Sequence, residues 1–554
     1  MHNLPNEVLL QIFLQLDPFN LAKYRRVCRA FNNVLTAHPF SNLIGLVHIG
    51  QTYQQIKVVC FVTPASFEKV FLTRVQKHVD DLCETGAFEK YPITTLTALP
   101  INLHSEINDA SLYENLTGHI LSGPLPAALG NMTNLTILKL MSSCVTGPLP
   151  SELGNLVNLK ILNLSRTLLD CEIPDSFGNL LNLQELDMSE ARLKGSIPAS
   201  FANLINLIKL NVQRNDLSGE VPDMFAGMIK LQTRQWFAVC LLDLSRNKLS
   251  GSLPNYITLL TNLKLLYLHE NNLTGPLPTE IGRLEKLDAL SLANNKFSGV
   301  IPDSMSRLVA LTKLDLSCNL FIGSIPSSIT SLVNLTHLLL DNNNLSGPLP
   351  TEIGLLTCLQ FLNLSHNRFC GDIPESIRNL AILQTLDLSH NHLSGEIPPT
   401  IYMLSHLTVL QLNNNNLSGP LHPDMGVTRL TALDLSHNQL TGSVPENVLP
   451  RRLNTLKLSY NQLSGPIPEF GGLGWIQALH LDHNQFSGPL PTDLIPESLE
   501  SFGMLQVLDL SGNLFEGDLP ERFRNQSADK QAVQFRWEKE IESNGSGKHI
   551  ETSE

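Results

Sequence analysis

Between Ser111 and Pro520 a single unit recurs, and it restricts what this 554-residue chain can fold into more tightly than anything else in it. A well-formed copy, starting at Leu311, reads LTKLDLSCNLFIGSIPSSITSLVN. With its Asn as register mark, seventeen copies run from His119 to Asn513. Eleven of the sixteen intervals are 24 residues, three are 23, and two are longer, at 32 and 29. A period of this length means a stack of small units, none of which can bury its apolar face alone.

Each part of the unit has a physical reading. Alternation in LxLxx predicts Leu314 and Leu316 pointing inward and Lys313, Asp315 and Ser317 outward, as in a short strand buried on one face. The register Asn carries both a donor and an acceptor, so a buried row of them can satisfy backbone groups freed where the chain leaves the strand. Gly-x-Ile/Leu-Pro then permits a tight bend and fixes φ, and the IxxL run returns the chain through a short helical or irregular turn. Seventeen such coils predict a concave parallel sheet on the order of 75–80 Å long, at about 4.8 Å per strand.

At GxIP the unit resembles the plant-type leucine-rich repeat of receptor-like proteins, over about three quarters of the chain. The fold class this implies is α/β: a leucine-rich-repeat solenoid of about 17 coils of 23–24 residues, occupying 111–520. Departures cluster at its start. Ser143, Thr167 and Ala191 replace the Asn, and Cys171 replaces the Gly; later, His422 replaces the Pro. The first four coils are expected to be looser. An eight-residue interruption at 234–241, RQWFAVCL, predicts a bulged loop.

Residues 4–40 do not fit the repeat. Asn6 can start a helix in which Val8, Leu9, Ile12, Phe13 and Leu16 share a face; Asp17-Pro18 stops it, and Leu21, Tyr24, Val27, Cys28 and Phe31 follow at helical spacing. Some forty residues make too small a core to stand alone, so this small helical module (1–41) is expected to gain stability by docking. A helical cap on the solenoid is the alternative. LPxEVLxxIFxxLxPxxLxxxxxVCRxF resembles the F-box motif. That resemblance implies binding to the Skp-type adaptor of a ubiquitin ligase, and through it to a cullin, with Leu4, Pro5, Ile12, Leu16 and Leu21 as apolar anchors. F-box proteins with leucine-rich repeats usually carry other repeat subclasses, so no ligand pocket carries over.

The stretch 42–110 reads as a connector and N-terminal cap, with the apolar run IKVVCFV and one amphipathic helix over 64–84. The tail, 521–554, loses the repeat and is expected to be disordered. Nine cysteines without a CxxC pair suggest reduced, buried thiols.

A net charge of −13 argues against nucleic acid or anionic lipid as a partner. No apolar run approaches the ~20 residues that cross a bilayer, and the first residues do not resemble a secretory signal, so residence in the cytoplasm, with the nucleus also open to it, is expected. No phosphate loop, nucleophile elbow, kinase signature or HExxH pair stands in a credible context; neither catalysis nor a cofactor nor a metal is expected.

Three outward groupings are candidates for binding. Leu265, Tyr267, Leu339 and Phe361, with His337 beside them, form an apolar and aromatic set suited to interface anchors, or else lie partly under flanking loops. Asp187, Asp243, Asp315, Asp387, Asp434 and Asp509 share one position, either attracting a basic partner or merely recurring in the LDLS step. His269, His337, His366, His390, His437, His480 and His483 read as a pH-sensitive or metal-binding surface, an idea outweighed by the common local form S-H-N.

Together these point to a non-catalytic substrate receptor of a Skp–cullin–F-box ubiquitin ligase that holds an unidentified protein target on the sheet. The alternative is a receptor-like or scaffold repeat protein that binds a protein or peptide without ligase assembly. Eleven N-x-S/T sequons, among them Asn272, Asn344 and Asn416, superficially favour it, although N-L-S/T is built into the repeat.

Overall fold

The period-2 alternation of the Leu residues becomes a ladder of three-residue strands. The structure, a computed structural model, describes residues 48–52, 55–60, 93–98, 122–125, 127–222, 240–427, 429–445, 452–468, 476–490, 505–516 and 534–536. It divides into two units, Met1–Lys296 and Phe297–Glu554. In the first, seven copies give parallel strands from Ile137–Lys139 to Ala289–Ser291, each paired in register with the next. In the second, nine run from Lys313–Asp315 to Val507–Asp509.

Register follows from the apolar pattern. The central Leu of every strand meets its counterpart one coil on, as in Leu314↔Leu338 and Leu338↔Leu362. Leu314, Leu316 and Leu338 are fully buried, while Lys313 is exposed and Asp315 half-buried. A fully buried Leu contributes roughly 1.5–3 kcal/mol, so the core is a repeated layer rather than one centre.

Past the strand, the ladder Asn stitches coil to coil. Asn343 Nδ2 donates to Leu316 O (2.9 Å) of the preceding coil and to Leu340 O (3.1 Å) of its own, and its Oδ1 accepts from Phe321 N–H (3.0 Å). Gly323 then turns at φ +79°, which a side chain resists. Pro326, extended at φ −60°, leads into the 3-10 turn Ser327–Ser331, whose Ile329 N–H and Leu332 N–H donate to carbonyls three residues back. Serine and β-branched residues form α-helix poorly, and a single tight turn suffices to bring the chain back. Among the described residues every return segment assigned as helical is 3-10.

In the early coils, which keep their coil-to-coil backbone bonds, the rungs are built differently. Ser143 Oγ donates to Leu140 O (2.6 Å) and Thr167 Oγ1 to Leu164 O (2.7 Å), so these rungs tie only their own coil. Ala191 has no polar side chain, yet its N–H and that of Leu193 both donate to Asn215 Oδ1.

Several expectations need correction. Cys240 and Leu241, placed in the interruption at 234–241, belong to the ladder: Leu241–Asp243 is a strand beside Lys209–Asn211, because the buried Leu242 sets the register. Gln534–Arg536, within the tail expected to be disordered, pairs parallel with Val507–Asp509 and satisfies backbone groups at that edge. None of the six cysteines from Cys144 to Cys370 is buried. Cys144, Cys171, Cys240 and Cys318 are half-buried and Cys358 and Cys370 exposed, since they occupy turn and outward positions of the coil.

In 42–110, His48–Thr52 pairs antiparallel with Gln55–Cys60, which runs parallel to Ile93–Ala98; Thr95–Thr97 then lies beside Ile137–Lys139. Leu4, Pro5, Ile12, Leu16 and Leu21, the helix expected over 64–84 and the register position His119 lie outside the described residues.

Candidate protein-binding face

Residues flanking the buried Leu of each strand form rows across neighbouring coils. All seven residues expected to bind a target lie on this open face and are half-buried. The structure divides them. Leu265 and Tyr267 sit in the first unit, Leu265 opposite Leu241 and Ala289, and Tyr267 opposite Asp243 and Ser291, with the Tyr267 ring edge-on to His269 at 6.2 Å. The second unit brings the other five together. His337 and Phe361 stack on adjacent strands with centroids 4.6 Å apart, and one row runs Asp315, Leu339, Asn363, Asp387.

The Asp row has a folding role that the sequence reading left as its blander explanation. Asp315 Oδ1 accepts from Ser317 N–H (3.1 Å) and Oγ (2.7 Å), and Asp387 Oδ1 from Ser389 N–H (3.0 Å) and Oγ (2.6 Å). Asp187, Asp243, Asp434 and Asp509 do the same for the serine two residues on. Asn363 makes identical bonds to Ser365, at 3.0 and 2.8 Å, and Asn163 to Ser165. The turn therefore needs an oxygen, not a charge.

Electrostatics on this face follow from partial burial. Burial pushes the Asp341 carboxyl up, and the Asp315 and Asp387 carboxylates raise it further, while its bond from Asn342 opposes them. His337 is lowered by burial and then by Lys313; His390 is lowered by burial and then by His366. Burial also raises Asp243 and Tyr267.

Sequence reasoning missed a further row. The residue just before each ladder Asn adopts a left-handed backbone, from Arg166 (φ 55°) to His483 (φ 49°). His366, His390, His437 and His483 occupy it, so they stand at the turn beyond the strand rather than at outward strand positions; of the seven histidines grouped earlier, only His337 and His480 lie in strands. Rings on this row stack: His366 on His390 at 4.0 Å, His437 on Tyr460 at 4.3 Å and Tyr460 on His483 at 4.2 Å. The S-H-N tripeptide was the visible signal, but what it places in contact depends on coil-to-coil register.

His480, Asp482 and Asp509 present ligand atoms within 4.8 Å of one another, a nitrogen and carboxylate set of the kind that holds a divalent cation. Both carboxylates are already engaged, Asp482 by Ser459 Oγ and His483 Nδ1, and Asp509 by Ser511.

Family models match in agreement with this geometry. Leucine-rich-repeat models match 261–321 and 309–369 and nine single repeats between 158 and 526, and an F-box-like model matches residues 1–38. The Arabidopsis receptor kinase HAESA, solved with the peptide hormone IDA and the co-receptor SERK1, is 32% identical with a TM-score of 0.65, over 81% of this chain and 74% of that one. The chain belongs to the plant-type leucine-rich-repeat family. PEPR1, solved as PEPR1-AtPEP1, is 34% identical with a TM-score of 0.67 over 73% of this chain, which spans 55% of that structure's length. A TDR receptor aligns over 82% of this chain and 84% of its own at 26% identity and a TM-score of 0.60. A comparison with curated proteins finds no significant match. This family member thus joins an F-box-like motif to a protein-interaction array. Among its described residues no helix is long and apolar enough to cross a membrane.

Proposed function

We propose that this protein is the non-catalytic substrate-recognition subunit of a Skp–cullin–F-box ubiquitin ligase, working in the cytoplasm or nucleus. Residues 1–41 bind the Skp-type adaptor through Leu4, Pro5, Ile12, Leu16 and Leu21; 42–110 join that module to the array; and the open face over 111–520 holds a protein target. The observation that carries this reading is the F-box-like match at residues 1–38 in a chain whose remaining matches are binding repeats. Such a chain contributes placement rather than bond chemistry, bringing target lysines near a ubiquitin-charged enzyme.

Copurification of the Skp-type adaptor with the full chain tests it. The expected result is retention by the native chain and loss by Leu4→Ala with Pro5→Ala; unchanged retention by the double variant defeats the reading. A second reading, a receptor-like protein that binds a peptide without ligase assembly, is favoured by the similar structures, among them a receptor kinase solved with the peptide hormone IDA and a peptide hormone receptor solved with RGF2. A shift in mobility of the native protein on glycosidase treatment would select it.

A further inference from the structure

In the first unit, charged side chains of neighbouring coils neutralise one another. Lys209 Nζ reaches Asp187 at 3.1 Å, Lys194 reaches Asp170 at 2.6 Å, Lys248 reaches Asp216 at 2.8 Å and Arg246 reaches Glu270 at 2.9 Å. In the second, Lys457–Asp434 at 3.2 Å is the one Lys or Arg ion pair among the described residues. Asp315, Asp341 and Asp387 have none there. Asp315 lies opposite Leu339, Asp387 opposite Asn363 one strand further on, and Asp341 two residues beyond Leu339, so the three line one side of the row His337–Phe361, with Lys313 opposite His337.

The charges of Asp315 and Asp387 are surplus to folding, because Asn363 shows that a neutral amide holds the same serine turn with the same bonds, and Asp341 holds no such turn, its carboxylate accepting from Asn342. Burial first, and then Asp315 and Asp387, push the Asp341 carboxyl up. A half-buried aromatic and leucine patch with carboxylates outside any Lys or Arg ion pair along one side has the composition of an interface anchor and the polarity of one half of a complementary pair.

We infer that the open face around Leu339 and Phe361 is the docking surface for an arginine- or lysine-bearing polypeptide segment. Its aliphatic stems lie on Leu339 and Phe361, and its cations sit among Asp315, Asp341 and Asp387. The inference deepens the target-holding role proposed above and rests on it. Adaptor copurification is measured at the other end of the chain, so a failure of one is distinguishable from a failure of the other.

The test is fluorescence anisotropy of the full chain with a labelled decapeptide of alternating arginine and glycine, against a matched glutamate–glycine peptide. The native chain binds the first and not the second. Asp315→Asn with Asp341→Asn and Asp387→Asn weakens binding about ten-fold or more, and Phe361→Ala about five-fold. Asp187→Asn, whose carboxylate Lys209 already occupies, changes binding less than about two-fold, and the binding weakens with salt. Asparagine keeps the serine bonds at 315 and 387 and an oxygen for Asn342 at 341, and thermal melting of the triple variant near the native value establishes that it is folded. Native-like binding by that folded variant overturns the inference, as does equal loss in Asp187→Asn. A native dimer that the triple substitution dissociates gives the face to a second copy and overturns it too.

Discussion

One structural row is used in two ways along this molecule. In the first unit the left-handed position before the ladder residue includes Arg166, Glu190, Arg214, Arg246 and Glu270, in which Glu190 lies between two arginines and Arg246 pairs with Glu270; in the second it includes His366, His390, Asn414, His437, Tyr460 and His483, whose rings largely stack. The rungs beneath differ as well. Ser143 and Thr167 bond only their own coil, whereas Asn343, Asn367 and Asn391 reach the coil before. A left-handed position excludes β-branched side chains but, where it faces solvent, leaves the choice among the others open, so neighbours need only tolerate each other, by charge or by stacking.

The largest effect expected from that contrast is at the rungs. Asn343→Ala strands the Phe321 N–H in the core and takes one of two donors from the Leu316 and Leu340 carbonyls, which keep Asn319 and Asn367, and should cost about 2 kcal/mol, against about 1 kcal/mol for Thr167→Ala, which frees Leu164 O. Urea unfolding monitored by circular dichroism measures both, and equal losses would break the comparison.

Next in size is a gain. Tyr402 in the second unit is buried, its hydroxyl is the one buried side-chain polar atom without a partner among the described residues, and burial pushes its pKa far up. Tyr402→Phe should raise stability by about 1 kcal/mol; a loss would reveal a bond to that hydroxyl.

Within the left-handed row, Tyr460→Ala removes two stacked partners and should cost about 1 kcal/mol, whereas Glu190→Ala, at an exposed pair of arginines, should cost about 0.5 kcal/mol or less. Repeating the melts in 0.5 M salt sharpens the distinction, since screening should erase the second difference and leave the first.

The smallest effect is in pH. His390 is faced by His366, His437, Asp387 and Asp434, and its folded pKa lies below the ordinary 6.5, chiefly through burial. Acid therefore favours the unfolded chain: the stability this neutral imidazole contributes is full above pH 6.5 and falls as the pH drops below that value. His390→Gln should reduce the fall in Tm between pH 7 and pH 5 by on the order of 1 °C by calorimetry, and a larger fall would reverse the assigned sign.

The ladder was legible because each requirement is local. Leu314 and Leu316 are inward since alternation within five residues makes them so, and Gly323 and Pro326 mark the turn since each restricts its own φ. Of the site, the His337–Phe361–Leu339 grouping could be read from the 24-residue spacing. The ring row could not, because the residues before the ladder Asn look like strand positions until their φ is known. The Asp row was half legible: its residues were visible, but not that Asn363 does the same work.

The sequence by itself determined that this chain would stack coils on buried leucine, with asparagine rungs and glycine–proline corners, because those choices depend on burial and backbone freedom within one repeat. Only the tertiary structure decided that Ile93–Ala98 would pair ahead of Ile137–Lys139, which carboxylates would find lysines and which rings would meet. Those outcomes turn on how one coil lies over the next, a relation between residues some two dozen positions apart that no local pattern contains.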